Sequence, residues 1–301
     1  MEIQDVVLAT NEGLSRAPDL LTSQPPPRDR FQLADGLWVG SLDDAIAEKV
    51  LDSCEPPGCW VTRPVRQYGQ LYTFVREQVP QTHIYEWDAD LRLQTCVALS
   101  RLVHPTSVSF RYSAQLVYNA DGTVREVAPG PVTDHGANAW VATEDNRDWL
   151  IASDLEMLKE LVRHLSLSHL PPRVRRALWY HEYAARTRDV SVRWTLISTA
   201  LEALVHTDRH NSTRQFTVRI PRLAAEMGGC QFSEGDAENA YDFRSRLSHG
   251  KGLGDLTAAD RQIYQEMETI LRHALLRAIR DPQFAQLFGN DEGIRKQWPL
   301  P

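Results

Sequence analysis

Late in the chain, the stretch Tyr241-Asp242-Phe243-Arg244-Ser245-Arg246-Leu247-Ser248-His249-Gly250 sets a guanidinium and an imidazole five residues apart. A guanidinium keeps its charge and can grip two oxygens of an anion at once. An imidazole gives and takes protons near neutrality. Together they can stabilise a developing negative charge while a proton moves. On an ideal helix Arg244 shares a face with Ala237, Ala240, Tyr241, Leu247 and Ser248. A cation on such a mostly apolar stripe needs a partner or a cleft. His249 lies about 140° further round, yet Gly250 is a natural stop for the helix, so the two side chains can still converge. The alternative is structural: Arg244 pairs with an acid, and His249 meets the last carbonyls and the negative end of the helix dipole. Glu202, set among apolar residues of a neighbouring helix, is the acid placed to pair with Arg244. It would orient the guanidinium in a site or neutralise it in a merely structural contact.

Other patterns carry less. His181-Glu182 has Ala at position 185, so the helical zinc motif with a second His is absent. His206 and His210 are four apart near Asp208 but lack an evident third ligand. Gly250, Gly252 and Gly254 follow a helix rather than a strand, and no Lys-Ser/Thr comes after them, so they make no phosphate loop. Cys54 and Cys59 flank Pro56-Pro57-Gly58 without a second ligand pair, and Cys96 and Cys230 stand apart. Four scattered cysteines make free thiols in a reducing cytoplasm the expectation. No metal or cofactor is expected.

The elements that must position Arg244 and His249 are helical. Pro171-Pro172 punctuates the chain, and the sequence reads as helix from there to about residue 288: 172–186, 190–206, a segment from Ser212 with Pro221 as a kink, and two helices opened by capping boxes. The boxes are Ser233-x-x-Asp236 and Thr257-x-x-Asp260, the latter starting the longest helix. Short connections predict an antiparallel bundle. The preceding part is mixed. Residues 31–39 read as a strand, 41–51 as a capped helix, 70–75 as a strand and 88–103 as a helix. Residues 108–127 read as a hairpin turning at Asn119-Ala120-Asp121-Gly122, and Ser153-x-x-Glu156 opens a further helix. The fold class is therefore α+β, with residues 1–30 an irregular lead-in or short edge strand, 31–170 a mixed domain and 171–301 an all-α domain.

Composition bounds the function. The 301 residues carry 33 Lys+Arg against 40 Asp+Glu, a net charge of −7, with 42% hydrophobic residues: an ordinary globular chain. To residue 170 there are 14 basic and 24 acidic residues, a balance of −10; from 171 there are 19 and 16, a balance of +3. A wholly basic nucleic-acid coat is excluded, while a basic face on the second half is not. Only 4 of the 33 basic residues are Lys, a skew better explained by a GC-rich genome than by phosphate binding. The first residues lack the basic and apolar regions of a secretory signal, and no run approaches the length needed to span a bilayer. No membrane association and a cytoplasmic location are expected.

The arrangement Arg244-x4-His249-Gly250, late in a helix and followed by a Gly-rich loop and a long helix, resembles the HEPN superfamily, and within it the ApeA-like HEPN group. Trp194 to Leu204 and Phe216 to Ala224 support the resemblance, which covers roughly residues 172–288. It implies a HEPN-type helical bundle that forms a homodimer, in which two Arg-x4-His motifs face each other across one composite cleft. Active members are typically metal-independent endoribonucleases of toxin–antitoxin, abortive-infection and other anti-phage systems. Carried over, Arg244 and His249 would be catalytic and RNA the substrate. Ser245, Arg246, Ser248 and Lys251 would be phosphate contacts, and Glu202 and Tyr241 supporting residues. Active members often have Asn, Asp or His directly after the Arg, where this chain has Ser245. The first domain resembles the N-terminal portion that accompanies this HEPN type, and a sensing or regulatory role, through a ligand or a protein partner, is expected of it. The alternatives are a non-catalytic module holding RNA, a nucleotide or a protein, and a structural subunit of a defence complex.

Overall fold

A computed structural model describes residues 2–10, 26–54, 70–77, 87–105, 108–130, 147, 149–165, 170–187, 189–208, 210–228, 231–249 and 257–301; for residues 87–92, 109 and 248 it describes the backbone alone. The chain divides into two compact units, Met1–Arg163 and His164–Pro301. The sequence puts its own boundary at 170/171. Residues 164–170 contain no Lys, Arg, Asp or Glu, so the charge balances of −10 and +3 belong equally to these two units.

Unit 1 is built on a six-stranded antiparallel sheet. Its strands are β1 (Glu2–Thr10), β2 (Phe31–Ala34), β3 (Leu37–Gly40), β4 (Gln70–Glu77), β5 (Ser109–Tyr118) and β6 (Val124–Pro129), in the order β2-β3-β4-β1-β5-β6. Residues 2–10 are thus not an irregular lead-in. They form an interior strand, paired with β4 through Val7↔Phe74 and with β5 through Val7↔Ser113. Val6, Val7, Leu8 and Ala9 are each at most 2% exposed. A strand buried on both faces shows an unbroken apolar run instead of alternation, and its period-two signature vanishes. The single strand expected over residues 31–39 is a hairpin, β2 and β3, turning at Asp35-Gly36, where Gly36 has φ +64°. Glycine adopts that conformation at no steric cost. The β5–β6 hairpin forms as the Asn119–Gly122 turn predicts, with Asn119 N–H donating to Thr123 O at 2.8 Å and Gly122 at φ +80°.

Helix α1 (Asp44–Cys54) packs on β5 and β6. Its Ala47, Val50 and Leu51 join Val6, Leu8, Trp38, Val75, Tyr112 and Leu116 in one buried cluster. Helix α2 (Trp87–Val103) contacts β4 and β1. Helix α3 (Ala152–His164) starts with Asp154, not the Ser153-x-x-Glu156 box: the Asp154 carboxylate accepts from Ile151 N–H at 2.9 Å and pairs with Arg147 at 2.5 Å. Asp154 is the better acceptor because it also holds a buried cation.

Unit 2 is helical: α4 (Pro172–Arg186), α5 (Val190–Val205), α6 (Ser212–Met227), α7 (Glu234–Ser248), α8 (Ala258–Arg280), α9 (Pro282–Leu287) and α10 (Asp291–Gln297). Helix α6 runs through Pro221. The structure extends helix past residue 288, because Asn290 caps α10 by accepting from Gly293 N–H at 2.9 Å. α4 and α5 form an antiparallel pair: Arg173 at the start of α4 donates to the Ala203 and His206 carbonyls at the end of α5. α5 packs against α4, α6, α7 and α8, which explains why Trp194, Ile197, Ala200, Leu201 and Leu204 are all at most 1% exposed. The segment after α10 lies on α6, where Arg219 donates to Trp298 O and Arg222 to Pro299 O. No helix among the described residues is long and apolar enough to cross a membrane.

Candidate functional site

Helix α7 is fixed at its start by the predicted capping box, in which Ser233 and Asp236 satisfy each other's backbone N–H groups. Its rotation is fixed by α5. Ala237 and Ala240 are fully buried, the Trp194 indole donates to Ala240 O at 3.2 Å, and Phe243 packs tilted against Trp194 at 4.3 Å between ring centroids. One turn beyond Ala240, that phase brings Arg244 to the end of α5. There Arg244 Nη1 donates to Glu202 Oε1 in a direct ion pair. The Arg244 side chain is 23% exposed and that of Glu202 12%, so the guanidinium is anchored from behind and still reaches solvent. Tyr241 completes the mount: its ring centroid lies 5.7 Å from Arg244 Cζ and 5.5 Å from the Phe216 ring.

His206 belongs to the same cluster. It is the residue that ends α5, with its N–H donating to Glu202 O at 2.9 Å. Its Nε2 lies 3.9 Å from Glu202 Oε1 and 3.2 Å from Ser212 O. A carbonyl accepts only, so Nε2 carries the hydrogen. Burial holds the His206 pKa down to about 4, and the nearby cations Arg244, Arg219 and Arg173 act in the same direction. Burial raises the Glu202 pKa, and the Arg244 charge and hydrogen bond oppose it. Glu202 thus sets a carboxylate against Arg244, with an imidazole held neutral at its flank. The strand of chain bearing His206 is itself held: Arg219 is 2% exposed and donates to Val205 O at 2.6 Å and to Gln215 Oε1 at 2.9 Å. Gln215 Oε1 in turn accepts from Thr207 N–H at 2.8 Å.

His249 lies apart from this cluster. It terminates α7 with φ −96° and ψ 12°, its N–H donates to Ser245 O at 3.2 Å, and its side chain is exposed. Five residues of helix separate it from Arg244, a rise of about 7.5 Å. Ser245 and Arg246 are exposed on the same last turn, with Arg246 Cζ 5.1 Å from the Phe243 ring. The structure therefore gathers Arg244, Glu202 and Tyr241, and leaves Ser245, Arg246 and His249 solvent-facing at the end of the helix. The Ser248 side chain, Lys251 and the glycines from Gly250 to Gly254 lie outside the described residues, as do Cys59 and Cys230.

Reasoning from sequence set His206 beside His210 and missed its contact with Glu202. The signal is present, since His206 follows Glu202 by four residues, the spacing that puts two helical side chains on one face. His210 is exposed and its N–H is bonded to Asp208. Among the described residues no group of three or more His, Cys, Asp or Glu side chains is arranged to hold a metal ion.

The fold and the site together define an α+β protein: an antiparallel-sheet unit, then a helical unit carrying a solvent-reaching, carboxylate-anchored arginine and an exposed histidine at the end of one helix. Compared with protein-family models, curated proteins and solved structures, the chain gives no match.

Proposed function

We propose that this chain is a HEPN-type endoribonuclease, an effector of prokaryotic anti-phage or toxin systems, that cuts RNA without a metal ion at a site formed by Arg244 and His249 of two copies. The observation that carries the reading is the presence of an anchored guanidinium and, about one and a half turns on, an exposed imidazole near one helix end. In the reaction His249 takes the proton from a ribose 2′-OH, and O2′ attacks the adjacent phosphorus. The P–O5′ bond breaks, and the second copy's His249 gives its proton to the departing O5′. The products are a 2′,3′-cyclic phosphate and a 5′-OH. Negative charge gathers on the non-bridging oxygens as the phosphorus becomes five-coordinate. A guanidinium already oriented by Glu202 meets that charge without first reorganising. Unit 1 is assigned the regulatory part.

The test is cleavage of single-stranded RNA in EDTA. Wild type should yield cyclic-phosphate ends, and His249→Ala should lower the rate by about 10²-fold or more, the usual contribution of a positioned proton carrier. Equal activity in His249→Ala sinks the assignment. A second reading has its own support: Glu202 already meets the Arg244 charge within the chain, which suits a module that holds RNA without cutting it. Retention of RNA that weakens with Arg244→Ala and with salt, under conditions that never yield cleavage, would favour that module.

A further inference from the structure

Helix α4 carries a surface feature unrelated to Arg244 and His249. Val174, Ala177, Leu178, His181 and Ala184 turn into the bundle. The opposite face presents Arg175, Arg176, Trp179 and Tyr183, all exposed, at spacings of three and four residues that align them in one stripe. Trp179 is 59% and Tyr183 44% exposed. Their rings meet edge to face, with centroids 4.7 Å apart and planes at 67°. Large aromatic side chains left in water at this extent mark a surface meant to be covered. Its charge says by what. The helix has one acid, Glu182, which is buried and paired with Arg186 at 2.7 Å. Arg175 and Arg176 form no ion pair with a described residue. The stripe thus sets two guanidinium groups beside two adjoining rings, and the helix offers no exposed carboxylate to balance them.

We infer that the Arg175–Arg176–Trp179–Tyr183 stripe binds single-stranded RNA, its guanidinium groups on the phosphates and its rings stacked on bases. A single strand offers both complements side by side: a charge at each phosphate for the arginines and a flat face at each base for the rings. A second copy of this chain is the poorer occupant, since a two-fold contact lays the same net-positive patch against itself. The stripe runs about 12 Å from Arg175 to Tyr183 at helical rise, room for a stacked base on each ring. Its arginine end is level with the end of α5 that carries Glu202, because Arg173 in the same first turn bonds to Ala203 O and His206 O. A strand held there enters the level of the Arg244 anchor. This surface extends the nuclease reading by a place to hold substrate, but its binding does not depend on cleavage.

The experiment uses the full chain and a fluorescent 2′-O-methyl oligouridine, single-stranded and without a 2′-OH to attack, with affinity read by anisotropy across a salt series. Wild type should bind. Trp179→Ala/Tyr183→Ala should weaken binding about tenfold or more, from the loss of stacking. Arg175→Glu/Arg176→Glu should weaken it similarly and flatten the salt dependence by roughly 1.4 in logarithmic slope, for two phosphate contacts. Trp179→Phe should restore most of the affinity that Trp179→Ala loses. Both double variants binding like wild type, or no binding by wild type, overturns the inference. So does a change in sedimentation with unchanged affinity, which would make the stripe a face between copies. A chain that binds through the stripe and never cuts refutes the nuclease reading alone; His249-dependent cutting with stripe-independent binding refutes the stripe alone.

Discussion

Glu202 is 9% exposed between a guanidinium and an imidazole, and burial and the Arg244 charge act on both Glu202 and His206. Burial favours the protonated carboxyl, and Arg244 favours the carboxylate. His206 is kept neutral by burial and by Arg244, Arg219 and Arg173, with its pKa about 4 against an ordinary 6.5. The sign of the stability change follows. Between pH 6.5 and 4 the unfolded chain binds a proton at His206 that the folded chain refuses, so stability is complete above 6.5 and falls as pH drops. The raised pKa of Glu202 works the other way, since the folded chain takes up that proton first, and it softens the loss only near the carboxylate range. The helical unit should therefore lose about 1–2 kcal/mol between pH 7 and pH 5, after discounting for partial exposure. His206→Gln keeps a donor for Ser212 O and should lose clearly less, as read by reversible denaturant unfolding at the two pH values. An equal loss in the variant would place the acid sensitivity elsewhere.

At the scale of elements, what announces itself in sequence is what repeats or caps locally. The Ser233 and Thr257 capping boxes form, and the Asn119–Gly122 turn closes its hairpin. Arg244 and its acid were legible for a related reason: a cation on an apolar helical face demands a carboxylate, and Glu202 was the one set among apolar neighbours. What hid were features settled by burial at long range. β1 shows no alternation because both faces are covered, and its pairing with β4 and β5 joins residues about 70 and 110 positions apart. His206 hid because a histidine near an aspartate and another histidine suggests ligands, whereas its neighbour lies one turn back on its own helix. The hidden strand carries much of unit 1. Leu8 is fully buried in the cluster shared with α1, so Leu8→Ala removes packed methyl groups and leaves a cavity that two flanking strands resist closing. The cost should be about 2–5 kcal/mol in denaturant unfolding followed at the β-sheet signal, where an edge strand or a loose lead-in would give far less.

For the whole molecule, a net charge of −7 hides a division of −10 and +3 between the two units, so polyanion binding is a property to seek in the helical unit. The proposed chemistry runs fastest with two proton carriers, one on each side of the phosphate, and α7 supplies one exposed histidine per chain. A shared site between two copies meets that requirement, and mixing variants distinguishes it from a site complete within each chain. Arg244→Ala homodimers keep both imidazoles and lose both guanidinium groups; His249→Ala homodimers do the reverse. Co-expressed in equal amounts, the two variants assort so that about half of the dimers are mixed and hold one Arg244 and one His249. If the copies form one cleft, the mixture should regain cleavage that neither variant has alone. The rate should stay below that of wild type, since each cleft has one of two guanidinium groups and one of two imidazoles. If Arg244 and His249 act only within their own chain, no protomer in the mixture holds both and cleavage stays at the background of the single variants. Because the mixed dimer carries the same two substitutions as its parents, it has no more to refold than either, and the comparison reads the geometry of the site.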